Sequence, residues 1–327
     1  MENFDLIIIG GGPSGINCAI SAEKANLKYL VLEKGVLANS IYNFPSNMTF
    51  FSTSKLLEIG SIPFISHGEK PTRKEALEYY LRLIQHFDLS INFYEEVLAL
   101  NPTTDGQYDV LSNKANYKAN SVIIATGFYD CPRMLDVPGE TLPKVTHYYS
   151  NPYPYVGQKV LVVGARNSAC DAALETYYKG AQVTMAIRGD EIYPKVKYWI
   201  RPNIINRIKE GSIKAHFNTR VLEIREKEVV LENVEGRFVI ENDFVLAMTG
   251  YQPNYQLFEK FGIACSEDAN RIPLQDENTL ETNLPNVYMA GVACSGRQTS
   301  KLFIENTRDH GDVIVNAIKK RAIRANV

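Results

Sequence analysis

The sequence predicts an α/β fold with two doubly wound, parallel-sheet domains, one inserted in the other. Three observations predict it. Apolar runs at 5–9 (DLIII) and 159–163 (KVLVV) have the continuity of strands buried on both faces of a parallel sheet. Each run leads straight into a glycine-containing turn, GGGPSG at 10–15 and GARNSA at 164–169, and then into a helix-like segment and a second strand. With 327 residues the chain has room for about two domains of ~100–200 residues each.

The composition, 45 % hydrophobic and 22 % charged, supplies enough apolar residues for two cores. A formal net charge of −2 provides no global basic field, which argues against nucleic acid or an anionic membrane as partner. The first apolar run, Leu6 to Ile9, stops at glycines, so no signal peptide is expected, and no apolar stretch approaches the ~20 residues of a membrane helix. Five cysteines (Cys18, Cys131, Cys170, Cys265, Cys294) are scattered and never form a CxxC pair. That pattern points to a reducing, cytoplasmic location and against a disulfide framework or a metal site.

The elements follow in order. KYLVLE (28–33) and QVTMAIR (182–188) are the second strands of the two copies. Thr72 and Glu75 form a capping box ahead of the amphipathic helix TRKEALEYYLRLIQHF. Alternating segments near 91–100 and 107–111 read as antiparallel strands, and SVIIATG (121–127) as a buried strand ending at a glycine turn. A proline-rich connector spans 130–156. A second strand-to-glycine junction, DFVLAMTG (243–250), closes the second copy; the strand NVYMAG (286–291) and a helix from about residue 300 return to complete the first domain.

Gly10, Gly12 and Gly15 fit GxGxxG, which needs glycine for a tight turn, for backbone approach to a pyrophosphate and for close helix–strand packing. A glycine-rich turn alone is weak evidence; the strand before it, the helix after it and a terminal acid point to a dinucleotide site, the alternative being a purely structural turn. Pro13 suits the first helical turn, where its missing N–H costs nothing, and the helix start from Ser14 offers free N–H groups and a positive dipole end to phosphates. Glu33, followed by Lys34, ends the second strand, where a carboxylate accepts hydrogen bonds from a ribose.

The second turn is degenerate. Gly164 is kept, Arg166 takes the middle glycine position, Asn167 and Ser168 follow, and Ala169 replaces the third glycine. Arg166 hinders backbone approach but offers its own charge to a phosphate. Arg188 stands at the end of the next strand, where NAD-specific folds carry an acid; it would pair with the 2′-phosphate of NADPH that an acid would repel. Lys195 and Lys197 follow closely. The alternative for this basic group is a solvated surface.

Two nucleotide folds in one chain, with strand-to-TG junctions at Ala125–Thr126–Gly127 and Met248–Thr249–Gly250, resemble the flavoproteins with two Rossmann-like dinucleotide-binding domains. The resemblance covers essentially the whole chain. It implies a discontinuous FAD domain, 1–152 and 255–327, around an inserted NADPH domain, 153–254. It also implies FAD contacts at the TG junction and at Gly291 and Val292, and a helix beginning near Ser300 whose N-terminus faces the flavin.

Within that superfamily, thioredoxin reductases carry a CxxC pair and a GD late motif; here GARNSACD has a lone Cys170, and Val292 stands where the aspartate would be. The linker FYDCPRMLDVPGETLPKVTH lacks the fingerprint of flavin monooxygenases. The segments IIIGGGPSGI, YNFPSNMTFFSTSKLLEIG, VVGARNSACDAALE, VKYWIRPNIINRIKEGSI, VYMAGV and LFIENTRDHG are similar to those of the bacillithiol disulfide reductase family. That likeness implies an NADPH- and FAD-dependent oxidoreductase acting on a small-molecule thiol disulfide. By the same likeness Thr49, Phe50, Phe51 and Ser52 line the flavin, and Lys197 and Trp199 face the NADPH cleft; a core aromatic is the equal alternative for Trp199. A homodimer is the superfamily's expectation.

One departure matters. Many family members carry a cysteine in the first glycine turn that meets the disulfide; this chain has Ser14, and a serine forms no mixed disulfide. Either flavin reduces the substrate with no protein thiol, or another cysteine serves, or the acceptor differs. Cys294, in the loop after the AGV motif, and Cys18, one helical turn beyond Ser14, are the cysteine candidates, and each also reads as a small buried hydrophobe. The runner-up function is a thioredoxin-reductase-like ferredoxin- or flavodoxin-NADP reductase, its partner a small redox protein. A redox sensor that holds FAD without turnover is the third reading.

Overall fold

The computed structural model describes residues 1–325, and the elements and contacts given are those of the described residues. They form two compact units. The first comprises Met1–Tyr42, Met48–Cys131 and the chain from Tyr251 onward; the second comprises Asn43–Asn47 and Pro132–Gly250.

In the first unit the run DLIII lies in the strand Glu2–Ile9, with Leu6, Ile7 and Ile8 fully buried. It pairs in parallel with Tyr29–Glu33 on one side and Asn116–Ile124 on the other. A central position buried on both faces is why the run is continuous rather than alternating. The sheet continues with Ile91–Phe93 beyond Tyr29–Glu33, and with Tyr108–Ser112 and Val97–Pro102 beyond Asn116–Ile124. Asn116–Ile124 serves two partners. Asn116–Ala119 pairs antiparallel with Tyr108–Leu111, whereas Val122–Ile124 pairs in parallel with Val287–Met289, so the late strand joins the first sheet.

The segment 91–100, expected as one antiparallel strand, is two. Ile91–Phe93 pairs in parallel with Tyr29–Glu33, and only Val97–Pro102 runs antiparallel to Tyr108–Ser112. The break has a cause in the side chains. Tyr94 adopts a φ of 56°, and Glu95 turns inward to 2 % exposure, where its carboxylate accepts hydrogen bonds from Ser112 Oγ (2.6 Å), Tyr117 OH (2.7 Å) and Asn92 Nδ2 (3.0 Å).

The helix Pro13–Lys24 follows the glycine turn and packs on His310–Ala325. Asn17 Oδ1 accepts the Gly311 N–H (3.0 Å), and Ser21 Oγ donates to Asp312 (2.7 Å). The helix Arg73–Phe87 opens with the expected capping box: Thr72 Oγ1 accepts from Glu75 N, and Glu75 Oε2 accepts from Thr72 N (2.7 Å).

The second unit repeats the plan. Its parallel sheet has the order Lys214–His216, Gln182–Ala186, Lys159–Val163, Phe244–Ala247, Val145–Thr146. The strand expected over 182–188 stops at Ala186, which places Arg188 just beyond its end. A three-stranded antiparallel sheet, Arg220–Ile224, Glu228–Asn233 and Gly236–Glu241, was not foreseen. It is built on one apolar face, where Val221, Ile224, Val229 and Leu231 pack with Leu161, Val163 and Val245 of the parallel sheet. No helix among the described residues is long and apolar enough to cross a membrane.

Candidate functional site

Backbone crowding at the first glycine turn sorts its three glycines. A Cβ on Gly10, whose φ is +108°, would sit 2.6 Å from the Ala125 carbonyl oxygen, and one on Gly15 would sit 1.9 Å from the Gly10 carbonyl oxygen. Both contacts are with backbone, so neither position has room for a side chain. Gly12 differs: no atom lies within 4 Å of where its Cβ would be. The open side of Gly12, at the start of Pro13–Lys24, is a place where a ligand can lie directly on the backbone.

Glu33 is tied to this turn. Only 5 % exposed, it accepts the Gly11 N–H at Oε2 (2.6 Å) and the Gly35 N–H at Oε1 (2.7 Å). Burial raises its pKa, and the two backbone hydrogen bonds oppose that rise. A carboxylate has about four lone-pair sites, so bracing the turn leaves acceptors for two ribose hydroxyls. Lys34 pairs with Asp130 (2.9 Å).

The TG junction closes the site. Ala125 N donates to Ile9 O (2.8 Å), Gly127 adopts a φ of +65°, and Thr126 Oγ1 is buried with no hydrogen-bond partner among the described residues. An orphaned buried hydroxyl costs roughly 1–3 kcal/mol, so its presence beside an open cradle fits a dinucleotide that supplies the missing partner. Gly291, with φ +79°, brings the late motif against the helix start: a Cβ there would lie 2.3 Å from Ser14 Oγ. Val292 Cγ2 comes to 4.0 Å of the Cβ position of Gly127. Ser14, Gly127, Gly291 and Val292 are therefore neighbours.

The segment 49–52 is held from another direction. Thr49 forms an antiparallel bridge with Thr72, buried Phe50 donates its N–H to Pro71 O (2.9 Å), Ser52 is half-buried, and exposed Phe51 has the Lys70 ammonium 5.0 Å from its ring centre. The helix expected from near Ser300 starts instead at Ile304. Asn306 explains the delay: its Oδ1 accepts the Phe303 N–H (2.7 Å) and its Nδ2 donates to Lys301 O (3.1 Å), holding 301–303 as a loop.

The thiols near Ser14 are poor nucleophiles. Cys18 is fully buried and Cys294 is 4 % exposed; burial pushes the Cys294 thiol up to about 12 and raises Cys18 further. Burial likewise pushes Cys170 up to about 12 and raises Cys131 and Cys265. Cys294 Sγ lies 3.9 Å from His310 Nδ1, but that nitrogen already accepts the Gly291 N–H (3.2 Å), which fixes it as an acceptor in a neutral ring. Burial lowers the His310 pKa from its ordinary 6.5. The folded chain therefore binds fewer protons here than the unfolded chain, so this stability is present above pH 6.5 and lost as pH falls below it. Urea midpoints measured from about pH 7 to about pH 5 should fall with pH, and His310→Asn should flatten the slope, leaving the share of His216, also lowered by burial. An unchanged slope would show that His310 is not held neutral.

In the second unit the turn repeats the first with changed residues. A Cβ on Gly164, φ +133°, would lie 2.6 Å from the Met248 carbonyl oxygen, the counterpart of Gly10 against Ala125. Ala169 is fully buried with its methyl 3.2 Å from that point, so alanine suffices where the first copy needs glycine. Arg166 sits at the N-cap position of the helix Asn167–Tyr178 without a side-chain capping hydrogen bond, and its guanidinium lies 4.6 Å from the Tyr193 ring centre. Asn167 Oδ1 accepts the Lys197 N–H (2.8 Å), and Lys197 Nζ pairs with Asp171 (3.0 Å) and lies 5.8 Å from the Trp199 ring centre. Ser168 and Lys195 are exposed. Arg188 is exposed with no acidic partner among the described residues. It lines a cavity of about 340 Å³ together with Asn218, Thr219, Arg220, Glu232, Asn233 and Val234. None of those six was singled out from the sequence, because no glycine motif or periodicity marks the antiparallel strands and turns that carry them.

Comparison with known proteins agrees with this geometry. The family model described as pyridine nucleotide-disulphide oxidoreductase matches residues 7–291. The chain is 43 % identical over 316 residues to the bacilliredoxin reductase Bdr of Bacillus subtilis (strain 168), covering 96 % of this chain and 97 % of that one. Solved structures of the bacillithiol disulfide reductase Bdr (YpdA) from Staphylococcus aureus and from Bacillus cereus each superpose with a TM-score of 0.95, at 38 % and 40 % identity. Each match covers 98 % of this chain, and 99 % and 100 % of theirs. The chain belongs to the pyridine nucleotide-disulphide oxidoreductase family and is, by that membership, an oxidoreductase using FAD and NADPH.

Proposed function

We propose that the protein carries reducing equivalents from NADPH to a low-molecular-weight thiol disulfide, with bacillithiol disulfide as the substrate, and that its two glycine turns hold the two cofactors. The observation that carries this reading is the open backbone at Gly12 beside the orphaned Thr126 hydroxyl and the braced Glu33, repeated in altered form at Gly164. FAD, when bound, supplies the two-electron relay between nicotinamide and disulfide. The chain's own part is positional. The N–H groups at the start of Pro13–Lys24 receive the pyrophosphate, Glu33 receives the ribose, and Arg188 receives the 2′-phosphate of NADPH. The names of two similar solved structures, both bacillithiol disulfide reductases, support the acceptor. The same reading places the protein in the cytoplasm as a homodimer, the five unpaired cysteines agreeing with a reducing compartment.

Ser14 and the raised thiols favour a route with no covalent protein–sulfur intermediate, and they also keep a second reading in view, reduction of a ferredoxin or flavodoxin. Steady-state NADPH oxidation with each acceptor separates the two. Bacillithiol disulfide should sustain turnover, and Cys294→Ser should change it by less than about twofold. Turnover with ferredoxin or flavodoxin but not with the disulfide would put the second reading in its place.

A further inference from the structure

The cavity beside Arg188 has a second cation, placed by construction. Asn218 N donates to Gly189 O (2.9 Å) and Thr219 N to Ile187 O (2.9 Å), so the lead into Arg220–Ile224 is laced to the residues on either side of Arg188. Asn218 makes the required turn with a φ of 49°. Arg220 then stands directly opposite Glu232 in the antiparallel register and donates its Nε to Glu232 Oε2 (2.7 Å). Glu232 is also held by Arg237 Nε (3.2 Å), and these arginines keep its carboxyl below the usual range. Among the lining residues Arg188 and Arg220 face the single carboxylate of Glu232, which leaves the cavity net positive. On the rim Val234, 90 % exposed, offers an apolar wall suited to a flat base.

Resting on the NADPH reading above, we propose that this cavity takes the adenosine 2′-phosphate end of the nucleotide. Arg220, braced by Glu232, is a second phosphate-binding residue beside Arg188 and sets the preference for the phosphorylated ribose. A guanidinium fixed by a side-on carboxylate keeps donors for a phosphate and is already oriented when the ligand arrives, which a mobile lysine at the same place is not.

Calorimetric titration of the flavin-loaded protein with 2′,5′-ADP and with 5′-AMP tests this. The two ligands differ only in the phosphate at issue. Wild type should prefer 2′,5′-ADP. Arg220→Ala should weaken 2′,5′-ADP by about tenfold and 5′-AMP by less than about twofold, with Arg220→Lys intermediate. Equal weakening of both ligands, or none, with wild-type preference intact would overturn the role of Arg220 and leave the NADPH reading standing. A wild type that does not distinguish the two ligands would overturn both. Melting curves of each variant guard against loss of fold, and Arg220→Gln provides a second uncharged variant if alanine fails to fold.

Discussion

Gly15→Ala is expected to abolish folded, flavin-loaded protein, whereas Gly12→Val is expected to give folded protein without flavin. The two substitutions lie three residues apart and add side chains to one turn, yet they meet opposite surroundings. At Gly15 the new methyl falls 1.9 Å from a backbone carbonyl oxygen of the same turn, so helix and strand must separate. Such overpacking costs about 3 kcal/mol or more, a large part of a total stability of roughly 5–15 kcal/mol. At Gly12 nothing lies within 4 Å, and the backbone φ of −78° is open to any residue, so the fold should hold within about 0.5 kcal/mol. What valine fills is the open space that the proposed function gives to the pyrophosphate. Flavin-to-protein absorbance ratio and thermal melting read the two effects separately. Gly12→Val protein with a full complement of flavin would move the FAD site away from this turn.

Arg188→Glu is expected to lower kcat/KM for NADPH by about 100-fold while leaving NADH within a few-fold. The substitution removes a charge-assisted hydrogen bond and adds a carboxylate that repels the 2′-phosphate. Arg188 is exposed and has no acidic partner among the described residues, so the melting temperature should not move and the loss can be read as recognition. Exposure also sets a salt dependence: raising ionic strength should narrow the gap between variant and wild type. Equal losses for both nucleotides would show that Arg188 does not read the phosphate.

Much of this was legible in the chain because the relevant physics is local. A strand buried on both faces must be apolar throughout, which is why DLIII and KVLVV stood out. Gly15 is forced by a contact within a single turn, and the Thr72–Glu75 box spans three residues. What escaped was set by distant partners. Glu95 is drawn inward by Ser112 and Tyr117, which lie 17 and 22 residues away and form no local pattern with it. The antiparallel sheet over 220–241 owes its place to packing on Leu161, Val163 and Val245, so Arg220 and Glu232 could not be linked to Arg188 from the sequence. Glu33 was found as a strand-ending acid, but its hold on the Gly11 and Gly35 amides is a feature of the folded turn. Cys18 and Cys294 were legible as small buried hydrophobes, and both are buried; what spacing could not show is that burial pushes Cys294 up to about 12.

The measurement that bears most directly on the central claim is anaerobic stopped-flow of the purified, flavin-loaded protein, following flavin absorbance after mixing with NADPH or NADH and then adding bacillithiol disulfide. The account predicts fast bleaching by NADPH, much slower bleaching by NADH, and return of the oxidised spectrum on adding the disulfide. A flavin that neither NADPH nor NADH bleaches would contradict it.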